Sequence, residues 1–376
     1  MTLTSESQRP YFFRTCDIDT DIWREGAHIV YVPRGEMIPF TGREKEKSRY
    51  AFMGMTNDEK DSWLLDGINS EGLAGGLLLL LEGTGVNQAE ADKNRLNGYV
   101  GMELVSLFLS ACKNVEEVKA LAEKIRVCNI PFGGMEVPAT MHYFFADAMG
   151  DEVILEASDK EMPGRLEIYS KEDGIGIMTN SPVFSKQKEN LAWYIAASPE
   201  LKAAAQTGGI PALSFDGRIL KGDIQAAHLL RNDTFPASYC SCDRFVRLAV
   251  LKALNDSGNK FPDDKMLALG SGIMSSIYEP RSKGIYHYTG FDEKGRPINQ
   301  KDGFTQYLVM YDLAQRKLYL RAFDEVCFTE YALERCAGTG RSSGEGRSCR
   351  NSGTAGNCIT RYQVKHDPLV GILKGN

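Results

Sequence analysis

The sequence lacks the segments that would tie it to a membrane or to secretion. Its longest run of large apolar side chains, Leu77 to Leu81, has the length of a strand, whereas a helix that crosses a bilayer needs about 20 residues. The stretch MTLTSESQRP at the start has no basic region followed by an apolar one, which is the pattern of a secretory signal. These absences predict a cytoplasmic protein.

An excess of positive charge and paired metal-binding cysteines are also missing. The net charge of the 376 residues is −6, which gives no electrostatic footprint for nucleic acid. The nine cysteines are scattered, and Cys240 and Cys242 are too close together for the usual zinc knuckle. We therefore expect reduced thiols, no cofactor or metal, and neither a nucleic-acid nor a membrane partner.

What is present is a globular composition with mixed secondary structure. Hydrophobic residues make up 43% and charged residues 25% of the chain, which suits one large core or two modest ones. Strand-like runs come early, up to Leu81, and recur later in groups, while Asn114 and Glu117 have the spacing of a helix capping box. This grouping favours an α+β fold of antiparallel sheets covered by helices. Helical periodicity is found at residues 99–112, 115–125, 184–197, 243–255 and 263–277.

The composition changes near the end of the chain. From Cys336 onward it is rich in Gly, Ser and Arg and poor in apolar residues, so it cannot bury enough surface to offset its ordering entropy. We divide the chain into one domain, residues 1–335, and a tail, residues 336–376, which we expect to be disordered or an artefactual extension and dispensable for the fold. After about Gly356, the stretch CITRYQV has the pattern of a short strand.

Four short stretches place polar side chains where predicted strands end or a helix begins. FRTCDID carries Arg14 and Asp17, GINSEG carries Asn69, and GIGIMTNSP carries Asn180 at the end of a predicted strand. SCDRF places Arg244 in the first turn of a helix, where the helix dipole disfavours a cation. Such a cation usually has an anion or a buried partner nearby, although each feature taken alone also fits turn chemistry or a surface charge.

Together and in this order, the stretches resemble the choloylglycine hydrolase family, which includes bile salt hydrolases and penicillin V acylases. The resemblance runs from about residue 11 to residue 325. It implies an N-terminal-nucleophile hydrolase, a four-layer αββα sandwich of two antiparallel sheets, that hydrolyses a linear C–N amide with an apolar acyl group. The matching stretches are YFFRTCDID, IVYVPRG, DGINSEGL, MTNSPVFSKQKENL, SCDRFVRLA and FTQYLVMYD.

The resemblance also implies roles for the polar residues. The family nucleophile is a cysteine that becomes the first residue once the initiator methionine is removed, and its own α-amine is the base. Asp17 matches the carboxylate that holds this amine, and Arg14 and Arg244 match the arginines near the thiol. Asn69 and Asn180 match the oxyanion hole, and asparagine at position 69 favours glycine- or taurine-conjugated bile salts, or related N-acyl amino acids, over penicillin V.

The sequence departs from the family at its start, because no cysteine follows Met1. We favour a nucleophile that lies ahead of Met1, with MTLTSE and RPYFFRT forming the first hairpin. Two other nucleophiles are Cys358, if the chain is permuted, and Thr2 after methionine removal; the chain could also be a non-catalytic relative that binds amphiphiles. Cys16 is excluded because it is internal and has no free amine.

Two further expectations concern the substrate pocket and the assembly. Leu79 to Leu81 could line an apolar acyl pocket, but we expect at least two of the three to be core residues. The segment ahead of Arg244 is longer than in the family, where it carries an oligomer contact. The sequence therefore leaves open whether the chain forms a homotetramer.

Overall fold

The computed structural model describes residues 1–129, 140–198, 201, 210–223, 236–258, 260–281, 286–287, 290–291, 297–298, 301–333, 347–350 and 359–364. The helices within these residues are α1 (Gln88–Lys93), α2 (Leu104–Ala111), α3 (Val115–Ala122), α4 (Phe184–Ala197), α5 (Ser241–Ser257) and α6 (Met266–Ser275). The strands are β1 (Thr2–Thr4), β2 (Pro10–Ile18), β3 (His28–Val32), β4 (Met37–Ile38), β5 (Glu46–Lys47), β6 (Phe52–Thr56), β7 (Asp66–Asn69), β8 (Ala74–Leu79), β9 (Gly98–Val100), β10 (Arg126–Cys128), β11 (Met141–Ala146), β12 (Glu152–Glu156), β13 (Glu167–Ser170), β14 (Ala212–Phe215), β15 (Arg218–Lys221), β16 (Tyr286–His287), β17 (Gly290–Phe291), β18 (Pro297–Ile298), β19 (Lys301–Asp302), β20 (Phe304–Asp312), β21 (Lys317–Ala322), β22 (Thr329–Ala332), β23 (Arg347–Arg350) and β24 (Ile359–Tyr362).

Two large antiparallel sheets form the middle of the fold. A five-stranded sheet has the order β1-β2-β20-β21-β22, and a nine-stranded sheet has the order β13-β12-β11-β8-β7-β6-β3-β24-β23. Helix α6 packs on β2 and β20, with α5 beside it and α4 beside α5. Helices α2 and α3 pack on β7, β8 and β12 of the larger sheet. The predicted four-layer αββα sandwich is therefore confirmed.

Strand β2 carries alternating side chains into the space between the sheets. The ring of Phe12 lies 5.2 Å from the ring of Phe144 on β11, edge to face. Because strand side chains alternate, Arg14 and Cys16 enter the same space, and both are buried. Strand β2 thus places the candidate site residue Arg14 between the two sheets.

The predicted first hairpin is confirmed, with Thr2 opposite Phe12 and Thr4 opposite Pro10. The Met1 amine donates to the Phe13 carbonyl oxygen at 2.8 Å, and the Phe13 amide donates back to the Met1 carbonyl at 2.7 Å. Beyond this pair, Arg14 and the rest of β2 are bonded to β20 on one side. On the other side, no strand among the described residues pairs with them.

Several local predictions hold, and two are wrong. Helix α4 has the predicted bounds, and Asn114 accepts from the Glu117 amide at 3.1 Å, as a cap should. The helix predicted from residue 99 begins only at Leu104, because Gly98–Val100 pairs with β10 in parallel. The segment GIGIMTN is buried but forms no strand, since Gly176 adopts a φ of 74°, outside the β region.

Two glycines of α6 allow a direct test of how closely this helix packs on β2. A Cβ added at Gly270 would lie 1.9 Å from the buried Phe13 ring, whereas one added at Gly272 would meet nothing within 4 Å. We expect Gly270→Ala to lower the free energy of unfolding by about 1–3 kcal/mol through overpacking. Gly272→Ala should instead be neutral or stabilising by up to about 1 kcal/mol. Urea titration of both variants checks this, and equal effects would contradict the packing.

Part of the tail belongs to the larger sheet. Strand β24 pairs with β3, Thr360 lying opposite Tyr31, and β23 pairs with β24. The Arg361 guanidinium donates to Asp61 at 2.7 Å, and Asp61 also contacts His28 at 2.9 Å. The predicted short strand after Gly356 is thus confirmed, and its pairing with β3 argues against the expectation that the whole tail is dispensable. The rest of residues 336–376 lies outside the described residues.

Removing the tail should therefore destabilise the domain. Deletion of residues 340–376 leaves β3 as an unpaired edge and removes Arg361 from Asp61, which is 6% exposed. We expect the free energy of unfolding to fall by at least about 2 kcal/mol, the scale of a hydrogen bond to a charged group. Arg361→Ala should reproduce part of the loss, whereas Lys186→Ala, which breaks an exposed ion pair, should change little. An unchanged thermal midpoint after the deletion would show that β24 contributes nothing.

Candidate active site

Asp17 and Arg244 form a buried ion pair at the end of β2. The pairing of β2 with β20 shifts here, because Cys16 lies opposite Tyr307 and Asp17 lies opposite Thr305, which leaves Gln306 of β20 as the extra residue of a β-bulge. The Asp17 carboxylate accepts from the Arg244 Nη1 at 2.9 Å, from the Thr305 hydroxyl at 2.6 Å and from the Thr15 hydroxyl at 2.9 Å. Three hydrogen-bond donors thus fix the orientation of the Asp17 carboxylate.

Arg244 has the anionic partners that its position in the first turn of α5 predicted. Its guanidinium contacts Asp17, and its Nε lies 3.6 Å from a Glu279 carboxylate oxygen. The Nε also donates to the Tyr239 carbonyl at 3.1 Å. Arg244 is only 6% exposed and Glu279 only 1%. The cation is therefore retained against the helix dipole because two carboxylates surround it.

Asn180 completes this group and keeps its amide hydrogens available. Its Oδ1 accepts from the Arg244 Nη2 at 3.1 Å, and its main-chain oxygen accepts from Gln187 and Ser241. Its Nδ2 donates to no residue in the part of the chain that the structure describes. Because Oδ1 is held by Arg244, Nδ2 is directed away from the guanidinium. Asp17, Arg244 and Asn180 form one hydrogen-bonded unit, which we call the Asp17–Arg244–Asn180 unit.

Arg14 lies deeper, in a network that the sequence did not reveal. Its Nη1 donates to Asp66 and, at 3.2 Å, to the Tyr307 hydroxyl, and its Nη2 donates to the Leu77 carbonyl at 2.7 Å. Asp66 also accepts from the Tyr307 and Tyr311 hydroxyls. Burial, followed by the Asp66 charge, raises the pKa of both phenols well above the usual value. Both therefore stay protonated donors at neutral pH.

The thiol of Cys16, between Arg14 and Asp17, is not an available nucleophile. Burial raises its pKa to about 12, even though the Arg14 charge acts in the opposite direction. The thiolate is the reactive form of cysteine, so this side chain stays a neutral thiol at physiological pH. The geometry agrees with the exclusion of Cys16 made from the sequence.

Asn69 lies apart from the Asp17–Arg244–Asn180 unit and has no free amide hydrogen. Its Nδ2 donates to the carbonyls of Leu109 and Cys112, at 3.0 and 2.7 Å. Its Oδ1 accepts from the amides of Glu71 and Leu73, at 3.0 and 3.1 Å. The side chain is fully buried and ties the β7–β8 turn to the end of α2. This placement does not support the predicted oxyanion role, because both hydrogens that the role needs are already donated.

Of the other candidate nucleophiles, Thr2 is engaged away from Asp17. The Thr2 hydroxyl donates to Glu152 at 2.7 Å. The strand that follows Cys358, β24, joins the nine-stranded sheet beside β3 rather than β2, while Cys358 itself lies outside the described residues. Burial lowers the pKa of the Met1 amine to about 4, so this amine is neutral and bonded to Phe13.

Three leucines at the end of β8 border the Asn180 segment. The Leu79 carbonyl accepts from the Ser181 amide at 3.0 Å, and the Leu81 amide donates to the Ser181 hydroxyl at 2.7 Å. Of Leu79, Leu80 and Leu81, only Leu80 is fully buried. Leu79 is partly buried and packs against the main core, which agrees with the prediction that at least two of the three are core residues, while Leu81 is partly exposed.

The described residues contain neither a metal-binding cluster nor a membrane-spanning helix. No three His, Cys, Asp or Glu side chains in these parts of the chain lie close enough together to hold a metal ion. Among the same residues, no helix is both long and apolar enough to cross a bilayer.

Sequence comparison gives the site a family context. The profile of the linear amide C–N hydrolases, choloylglycine hydrolase family, matches residues 1–261. A bile salt hydrolase/transferase of Lactiplantibacillus plantarum is 27% identical over 343 residues, which cover 84% of this chain and 98% of the relative. The bile salt hydrolase/transferase of Clostridium perfringens is 27% identical over 312 residues, with coverages of 75% and 85%.

Solved structures share the architecture. A variant of the conjugated bile acid hydrolase from Clostridium perfringens has a TM-score of 0.67 at 20% identity and covers 89% of this chain and 92% of its own. The penicillin V acylase from Agrobacterium tumefaciens has a TM-score of 0.61 at 20% identity, with coverages of 89% and 86%. The αββα sandwich is thus that of the N-terminal-nucleophile hydrolases, and the chain belongs to the choloylglycine hydrolase family of linear amide C–N hydrolases.

Proposed function

We propose that this protein hydrolyses linear amides with an apolar acyl group, foremost glycine- or taurine-conjugated bile salts or related N-acyl amino acids, through an N-terminal cysteine thiolate. The observation that carries the proposal is the Asp17–Arg244–Asn180 unit. It combines a fixed carboxylate, a buried cation and an amide donor whose hydrogens are free within the described residues. Acyl transfer through a tetrahedral intermediate needs such groups side by side.

Each residue of the unit has a step to perform. The Asp17 carboxylate accepts a hydrogen bond from the nucleophile's α-amine and orients it as the base. The amine takes the thiol proton, the thiolate attacks the amide carbon, and the carbonyl oxygen becomes an anion that Asn180 Nδ2 stabilises. The ammonium then protonates the departing amine, and the thioester that remains is cleaved by water in the same way. Arg244 holds the Asp17 carboxylate in place and keeps the Asn180 amide turned toward the oxyanion.

The register of β1 on β2 supports a place for the nucleophile. Continued from Thr2 opposite Phe12, the first residue ahead of Met1 would lie opposite Arg14, and the third opposite Cys16. Alternation turns the third residue into the space that Arg14 enters, next to Asp17. A cysteine at the third position therefore has the carboxylate and an arginine as neighbours, and a cation favours the thiolate.

The surroundings of Asn180 support an apolar acyl group. Leu79 is partly exposed, and its carbonyl oxygen accepts a hydrogen bond from the Ser181 amide. An acyl chain whose carbonyl reaches Asn180 Nδ2 would pass this side chain. Contact with the exposed part of Leu79 removes apolar surface of both the leucine and the acyl group from water, which favours a steroid or a long acyl chain over a short polar one.

The substrate preference is tested on the chain carrying an N-terminal cysteine at the third position ahead of Met1. We expect glycocholate and taurocholate to be hydrolysed with kcat/KM values at least about tenfold above that for penicillin V. The amounts of glycine and taurine released measure the two bile-salt reactions. A preference for penicillin V would assign the protein to acylase chemistry. If glycocholate binds but none of the three amides is cleaved, the protein is an amphiphile-binding relative and the proposal is wrong.

A further inference from the structure

Two side chains donate to the main-chain oxygen of Asn180, and the hydroxyl of the neighbouring Thr179 is hydrogen-bonded to both of them. Gln187 Nε2 lies 3.0 Å from the Asn180 carbonyl oxygen, 3.0 Å from the Thr179 hydroxyl and 3.1 Å from the Ser241 hydroxyl. The Ser241 hydroxyl donates to the Asn180 oxygen at 2.7 Å, and the Thr179 hydroxyl donates to the Ser241 carbonyl at 3.1 Å. We call Thr179, Gln187 and Ser241 the Asn180 clamp.

The clamp joins the Asn180 segment to the first turns of two helices. Gln187 lies in the first turn of α4 and is 0% exposed. Ser241 is the first residue of α5, and Arg244, which holds the Asn180 side chain, lies three residues further in the same helix. Residues three apart in a helix share a face. One face of α5 therefore holds Asn180 at both its main-chain and its side-chain oxygen.

The buried polar groups of the clamp contribute little to the stability of the fold, which suggests that they have another role. Buried polar groups lose their hydration, and a buried ring of hydrogen bonds contributes little net stability compared with apolar groups of the same shape. What it does provide is direction, because a carbonyl held by two donors cannot rotate freely. The segment from Ile175 to Asn180 belongs to neither sheet, so no ladder of backbone hydrogen bonds fixes it.

We propose that Gln187 and Ser241 are positioning residues that set the direction of the Asn180 amide. The inference rests on the proposed function and deepens it, since the amide it orients is the proposed oxyanion donor. Gln187 and Ser241 fix the main chain of Asn180, and Arg244 fixes Oδ1. Because the main chain and the Oδ1 atom of Asn180 are both held, the Nδ2 group can point in only one direction. The residues themselves do not touch the substrate.

Kinetics of the cysteine-bearing chain test the positioning role. Ser241→Ala and Gln187→Met should each lower kcat about tenfold while KM changes less than about twofold, and Ser241→Thr should restore most of the rate. Ser110→Ala, which removes another buried hydroxyl with a backbone acceptor, should leave kcat unchanged. A loss confined to KM, or an equal loss with Ser110→Ala, would overturn the proposal.

A double-mutant cycle separates positioning from general structural damage. In an Asn180→Ala background the substitutions at Gln187 and Ser241 should change kcat by less than about twofold, because the group they orient is gone. A tenfold loss in this background as well would show that they act through the fold, and the proposal would fall.

A structural readout remains if the cysteine-bearing chain is inactive. Crystal structures of the unextended chain with Ser241→Ala, the milder variant, and with Gln187→Met should show the Arg244 Nη2–Asn180 Oδ1 distance lengthened from 3.1 Å to beyond hydrogen-bond range. An unmoved Asn180 amide in both variants would overturn the inference. Because this measurement needs no turnover, failure of the amidase proposal and failure of the clamp are distinguishable.

Discussion

The chain with cysteine, threonine and one spacer residue placed ahead of Met1 is expected to hydrolyse glycocholate at least about 1,000-fold faster than the chain that begins at Met1. The extension puts the cysteine opposite Cys16 and beside Asp17 if the register of β1 on β2 continues. Donors aimed at an oxyanion have nothing to stabilise until a thiolate has attacked. The rate of glycine release, measured after removal of the initiator methionine, is the readout.

Two controls make this result specific. Serine in place of the added cysteine keeps the register but removes the thiol, and it should abolish both the activity and its sensitivity to iodoacetamide. A second spacer residue moves the cysteine opposite Asp17 and turns it to the other face of the strand, so this version should be inactive as well. Equal activity with one and two spacers would show that the hairpin register does not place the nucleophile.

The unextended chain can also contradict the prediction. If it hydrolyses glycocholate fast and Cys358→Ala abolishes the activity, the nucleophile comes from the other end of the chain. If Thr2→Ala abolishes it instead, the threonine hydroxyl is the nucleophile despite its hydrogen bond to Glu152. Either outcome replaces the N-terminal cysteine in the proposed mechanism.

The second large effect concerns the two asparagines. In the cysteine-bearing chain, Asn180→Ala should lower kcat by about 100- to 1,000-fold with a smaller change in KM, since one oxyanion donor is lost. Asn69→Ala is the matched control. It removes four buried hydrogen bonds, so the thermal midpoint should fall, while kcat per folded molecule should stay within about threefold. Steady-state kinetics and thermal unfolding of both variants are needed.

The reverse pattern would restore the role that the resemblance gave to Asn69. A large kcat loss in Asn69→Ala at unchanged stability, with little effect of Asn180→Ala, would mean that the Asn180 amide is not the oxyanion donor. The two residues are suited to this comparison because both follow apolar segments and look alike in sequence. They differ in the structure, because the Asn69 amide hydrogens are both donated to main-chain carbonyls whereas Asn180 lies beside Arg244.

This difference shows what the sequence could and could not predict. Strand grouping and amphipathic periods are local properties, and they predicted the α+β fold class and the bounds of α4, whereas the first hairpin was predicted from the family resemblance. Arg14, Asp17, Asn180 and Arg244 were found because they stand in stretches that resemble a family in fixed order. The hydrogen-bond acceptors of the Asn69 amide lie at the end of α2, about 40 residues away, and no local sequence pattern predicts them.

The largest omissions were also long-range. Asp66 pairs with tyrosines 241 and 245 residues away, and in sequence it is one acidic residue at the start of an apolar strand. Its isolation among apolar neighbours was the available signal. The composition of the tail likewise predicted that it cannot form a core of its own. Strand β24 is nevertheless ordered, because it pairs with the edge of β3 and Arg361 donates to Asp61.

The hairpin of β1 and β2 has a consequence for how this family can vary. Its turn, from Ser5 to Arg9, determines which face of the sheet each residue at the start of the chain presents. A change of one residue in the turn would reverse every side chain upstream, while a change of two would preserve them. In functional family members, the lengths of this turn should therefore differ by even numbers of residues. A change in the translation start would add or remove the nucleophile, and so convert a hydrolase into a binding protein or the reverse, without altering any residue of the Asp17–Arg244–Asn180 unit.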